Sequence, residues 1–79
     1  MKSEIQNAAK AVPFVPFEIE LVGGRVLRVN HPEFVYVPPG KGIHFAYTHA
    51  DGSSEFCNAL LVIAVRASKK KNEGKNRAA

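Results

Sequence analysis

The hydrophobic period of this chain changes once, at Pro13, and the change separates two kinds of structure. Before it, Ile5, Ala8, Ala9 and Val12 recur at helical spacing, which makes one face of a short helix apolar. Ser3-Glu4-Ile5-Gln6 has the Ser-x-x-Gln form of a capping box, and Pro13 ends the run. A helix of about ten residues is marginal alone and has to dock on something. From Phe14 onward the period is two. Phe17-Glu18-Ile19-Glu20-Leu21 alternates apolar and charged residues, as a strand with one buried face does.

The turn Val22-Gly23-Gly24-Arg25 decides how that strand returns. A two-residue Gly-Gly loop opposes Glu20 to Leu27 and mixes charges with leucines on both faces. A three-residue loop with Gly24 left-handed in a bulge opposes Leu21 to Arg25, Ile19 to Leu27 and Phe17 to Val29. It also sets Glu18 across from Arg28 on the other face. The second register is the expected one, because a one-residue slip turns every side chain to the wrong face. The same device recurs at Ala50-Asp51-Gly52, a type I turn closed by a left-handed glycine. Ile43–His49 then pairs with Ser53–Cys57, Phe45 facing Cys57 and Tyr47 facing Glu55. Phe34–Val37 is β-prone, Pro38–Gly42 is an exposed loop, Asn58–Leu61 is a single helical turn, and Val62–Arg66 is a closing strand.

These elements predict a mainly β protein: a small SH3-like or Sm-like open barrel of about five antiparallel strands with a short N-terminal helix. Five strands are too few for a sandwich with two good sheets, and curling into a barrel removes most exposed edges. The expected divisions are a helix over residues 1–12, a barrel over 13–67 and a basic tail over 68–79. The tail has no apolar content able to offset ordering entropy and is expected to be disordered.

Composition narrows the setting. Seventy-nine residues make one domain, whose core is small enough to favour sharing with another copy, so a homo-oligomer is expected. A lone cysteine, Cys57, allows no internal disulfide and suits a reducing cytoplasm. The first residues lack the apolar run of a signal peptide, and Ala59–Val65 falls far short of the ~20 residues that span a bilayer, so no membrane association is expected. The net charge of +4 lies at one end. Residues 1–65 sum to −1, whereas residues 66–79 carry Arg66, Lys69, Lys70, Lys71, Lys75 and Arg77 against Glu73 alone. Those six cations are the candidates for contact with nucleic-acid phosphates.

Two resemblances follow from these residues. Pro13-Phe14-Val15-Pro16-Phe17-Glu18-Ile19-Glu20-Leu21 through Gly24-Arg25, followed by His31-Pro32-Glu33 and a late Leu60-Leu61, resembles a family of small bacterial proteins sharing that pattern. The likeness spans roughly residues 12–66 and implies no activity. The order of a short helix, Ile19-Glu20-Leu21-Val22-Gly23-Gly24 and a small barrel is similar to the bacterial Sm-like RNA chaperones, which assemble into rings and bind RNA. Phe56-Cys57-Asn58-Ala59 stands where those proteins carry a Tyr-Lys-His-like signature, so this likeness is one of topology.

The motif with the most chemical promise is His31-Pro32-Glu33. In an extended strand His31 and Glu33 share a face, and one metal could take both, but a third ligand from His44, His49, Asp51 or Cys57 has no recognised spacing. The structural expectation is that Pro32 sits at a strand end or bulge, with His31 or Glu33 bonded to backbone that the bend leaves unpaired. Cys57, in an apolar strand, reads as a buried inert thiol, and Glu18 and Glu20 as a solvated, ion-paired face. Tyr36 and Tyr47, whose hydroxyls need water or a partner, join His31 and Glu33 as candidates for ligand or partner contact. No cofactor and no catalytic residue is expected. The expected function is a binding or scaffold module acting by protein–protein contact, through an edge strand or the Pro-Phe-Val-Pro-Phe segment. The alternatives are an Sm-like RNA-binding protein, and a small metal protein or enzyme around His31 and Glu33.

Overall fold

In the computed structural model, which describes residues 1–68, a helix α1 (Lys2–Lys10) precedes six strands. These are β1 (Phe17–Leu21), β2 (Val26–Val29), β3 (Val35–Tyr36), β4 (His44–Thr48), β5 (Ser54–Asn58) and β6 (Val62–Ala67). Single 3-10 turns occupy Pro32–Phe34 and Ala59–Leu61. The strands form two antiparallel three-stranded sheets, ordered β2-β1-β6 and β3-β4-β5. Six strands in two sheets thus stand where about five strands curled into one small barrel were expected. The predicted second and third β segments are separate short strands, because Pro32 opens a 3-10 turn between them and carries the chain from one sheet to the other.

Both hairpin registers are as the alternation predicts. Phe17 opposes Val29, Glu18 opposes Arg28 and Ile19 opposes Leu27. In the second hairpin Phe45 opposes Cys57 and Tyr47 opposes Glu55. The turns differ in kind. Gly52 donates its N–H to His49 O at 2.9 Å and has φ 92°, a type I turn closed by a left-handed glycine. In the first hairpin Gly24 donates to Leu21 O at 3.1 Å, and Gly23 and Gly24 both have positive φ (96° and 92°). A positive φ at the third turn position makes this a type II turn, so both glycines are required where only Gly24 was expected to be.

The core lies between the sheets. Ile19, Leu27 and Val29 of the first sheet meet Val35, Phe45, Tyr47 and Cys57 of the second, and Ile5 of α1 completes the cluster. The helix spans the seam. One flank faces Val35, Tyr36 and Pro39, and the other faces Phe17, Val65 and Ala67. Lys2 ties it to the proline-glycine loop by donating to Gly40 O at 2.8 Å and Gly42 O at 2.7 Å. The capping box does not form. Met1 is the N-cap, no side chain caps the helix, and Ser3 Oγ donates instead to Glu4 Oε1 at 3.3 Å. Val12 is not part of the apolar stripe either, since the helix ends at Lys10 and Val12 is 95% exposed. At the far end Asn58 Oδ1 accepts from Leu60 N at 2.8 Å and sets the predicted single turn before β6. Ser68, assigned to the tail by composition, is still held: its N–H donates to Pro16 O at 3.0 Å.

Candidate interaction surface

The two sheets present opposite kinds of outer face. On the first, Arg28 Nε donates to Glu18 Oε2 at 3.2 Å, and Arg66 reaches Glu18 Oε1 at 3.3 Å and Glu20 Oε1 at 2.8 Å. Alternating charges across three strands neutralise one another in contact with water. Arg66, grouped by sequence with the basic tail, belongs to this ladder on β6.

On the second sheet Tyr36 opposes Ala46 and Ala46 opposes Phe56, so one row crosses all three strands. Neighbouring strands lie about 4.8 Å apart, which puts the two rings ~10 Å from each other across a small alanine. Tyr36 is 61% exposed and Phe56 78% exposed. His44, exposed on the same face, borders Phe56. Leu61, about half exposed, borders Phe56 at the corner after β5, where Leu60 is 72% exposed, and Ile63 at the start of β6 is about half exposed. Val22, also exposed, is held against that corner by its N–H bond to Leu61 O at 2.8 Å. An exposed strand face, a corner turn and the start of the following strand thus leave large apolar side chains in water.

The sequence candidates are scattered rather than gathered. His31 and Glu33 are both exposed, and neither side chain bonds to backbone among the described residues. The bend is satisfied by the backbone itself, through Phe34 N–H to His31 O at 3.1 Å and Val35 N–H to Pro32 O. The His31 ring rests edge-on against Phe34, centroids 5.3 Å apart. Pro32 lies, as expected, just beyond a strand end. Tyr36 is on the exposed row. Tyr47 is not a surface residue: it is buried, and its hydroxyl donates to Arg28 O at 2.8 Å, joining the two sheets. Burial raises its pKa. Lys69, Lys70, Lys71, Lys75 and Arg77, with the expected disorder of the tail, lie outside the described residues.

One cluster escaped the sequence argument. Glu55 Oε1 receives Arg25 Nη2 at 2.7 Å and stands 2.7 Å from His49 Nε2, while the Cys57 thiol donates to Oε2 at 3.6 Å. Arg25 and His49, hydrogen-bonded to it, hold the Glu55 carboxyl down to about 2. Cys57 is pushed up to about 11, chiefly by burial, so it is a protonated thiol and no nucleophile at neutral pH. The cluster clasps the first hairpin to the second. Its signal was present in the register: Tyr47 opposite Glu55 puts a carboxylate on the buried side of the sheet, where it requires a cation. Among the described residues no group of three or more His, Cys, Asp or Glu is placed to hold a metal ion. No helix among them is long and apolar enough to cross a membrane. Compared with known protein families, with curated proteins and with solved structures, the chain matches none.

Proposed function

We propose that this protein is a binding or scaffold module that acts through protein–protein contacts, using the outer face of the second sheet and the corner that follows it. The observation that carries this is the contrast between a first sheet whose outer charges are paired and a second whose outer row exposes Tyr36 and Phe56, followed by exposed Leu60 and Leu61 on the turn that leaves it. Exposed apolar groups cost solvation in the free chain, and covering them contributes to association. We read the fold as an opened SH3-like or Sm-like barrel, in which β2 and β3 are halves of one bent strand. The strand orders and the 3-10 turn before β6 support that reading. Membership of the Pro-Phe-x-Pro-Phe family, a cytoplasmic location and assembly with further copies belong to the same proposal.

The test is selection of displayed extended peptides on the full chain, followed by Leu60→Asp with Leu61→Asp. Binders whose affinity falls about tenfold or more in a variant with unchanged circular dichroism support the reading. Binders indifferent to both changes overturn it. The Tyr36–Ala46–Phe56 row favours one second reading, a platform on which bases of single-stranded RNA stack. RNA binding that survives removal of residues 68–79 and is lost in Tyr36→Ala with Phe56→Ala would support it.

A further inference from the structure

Among the described residues, the two sheets leave four strands with one unpaired edge each: β2, β6, β3 and β5. Proteins protect such edges with charge, proline, bulges or shortness. β2 carries Arg28 and follows Arg25, β6 carries Arg66 and faces a register shift, and β3 has two residues between Pro32 and Pro38. β5, Ser54-Glu55-Phe56-Cys57-Asn58, has no proline, no cation and no bulge. Its one charge, Glu55, is turned inward and held by Arg25 and His49.

The hydrogen-bond parity of β5 says what its edge offers. His49 N–H donates to Ser53 O at 2.7 Å, and Ala59 N–H donates to Ile43 O at 2.6 Å. In an antiparallel ladder the bonded pairs alternate, so residues 53, 55, 57 and 59 direct their backbone groups to β4. Ser54, Phe56 and Asn58 therefore direct theirs outward.

We propose that β5 pairs with β5 of a second copy of this chain, Phe56 opposite its symmetry mate, to make a two-fold dimer with one six-stranded sheet. This register is selected by the residues themselves. It matches the outward groups of Ser54, Phe56 and Asn58 with those of Asn58, Phe56 and Ser54 in the second copy, giving about six backbone hydrogen bonds. It sets Glu55 opposite Cys57. The register shifted by two toward the hairpin turn would set Glu55 against Glu55, with like charges directly opposed. A shift of one would turn the buried face outward. In the selected register the two Phe56 rings lie side by side, and the exposed row becomes Tyr36-Ala46-Phe56-Phe56-Ala46-Tyr36. The same strand facing itself makes the contact isologous and closed, so it stops at two copies.

The inference rests on the reading of the second sheet as the contact surface, and its test separates the two. Sedimentation equilibrium of the full chain over a range of concentrations should give a monomer–dimer equilibrium. Ser54→Pro removes an outward N–H that β4 does not use, and Phe56→Lys places a cation against its mate. Each should raise the dimer dissociation constant about tenfold or more with the far-ultraviolet spectrum unchanged. A chain monomeric throughout overturns the dimer, as does a dimer indifferent to both variants or a larger ring. In the first case peptide binding sensitive to Leu60 and Leu61 would leave the proposed function standing. If Ser54→Pro disturbs the fold, Phe56→Lys decides alone, since that side chain is on the surface of the monomer.

Discussion

The two sheets are built from hairpins of the same design, yet one is finished as a solvent surface and the other is not. In the first sheet every exposed charge on the outer face has an opposite neighbour, and each edge carries arginine. In the second the outer row is two aromatics around an alanine, and the long edge strand is undefended. Alternation alone makes a buried face. What occupies the other face differs between the two halves of this small chain: paired charges on the first sheet, aromatics around an alanine on the second.

The comparison can be broken at several levels. The largest effect is expected in the shared core. Phe45 is fully buried at the centre of the second sheet, and Phe45→Ala should cost ~3–5 kcal/mol. In a domain this small that lowers the melting temperature by more than ~10 °C, readable by thermal circular dichroism. A shift of a few degrees would mean that the second sheet contributes little to the core.

Next in size is the clasp between the hairpins. The Glu55 carboxyl is depressed from 4.5 to about 2 in the folded chain. Its contribution is therefore complete above about pH 4.5 and is lost as pH falls through 2. Urea midpoints should fall between those limits by more in the wild type than in Glu55→Gln. Parallel curves would show that the pairs with Arg25 and His49 do not hold in solution. The Cys57 thiol gives a further check, because with its pKa near 11 it should react with a thiol reagent at neutral pH only as the chain unfolds. The smallest effect belongs to the first sheet. Arg28→Ala breaks an exposed pair with Glu18 and should change stability by only ~0.2–1 kcal/mol, in contrast to any change that uncovers the core.

Much of this fold was legible because glycine and alternation act together. Phe17, Ile19, Leu27 and Val29 can share a face in one register only, and Gly24 and Gly52 mark the turns that allow it. Asn58 and the break in alternation announced the turn before β6. What failed did so for tertiary reasons. Ser3 lost its capping role because the helix already includes it, beginning at Lys2, which the proline-glycine loop holds by two carbonyls. Tyr47 looked like a surface hydroxyl because nothing local announces that Arg28, nineteen residues away, offers it a carbonyl. Arg66 looked like tail because charge was counted along the chain, while the ladder with Glu18 and Glu20 exists only once β6 lies beside β1. His31-Pro32-Glu33, the most suggestive string for chemistry, is a corner between sheets, where His31 packs against Phe34 and both His31 and Glu33 are exposed.

The most direct measurement is residue-resolved amide hydrogen exchange of the full chain at low and high concentration. The account predicts that the amides of Ser54, Phe56 and Asn58 gain protection as concentration rises, while the open edges of β2 and β6 do not change. Protection that appears on β2 or β6 instead, or none that depends on concentration, would contradict it.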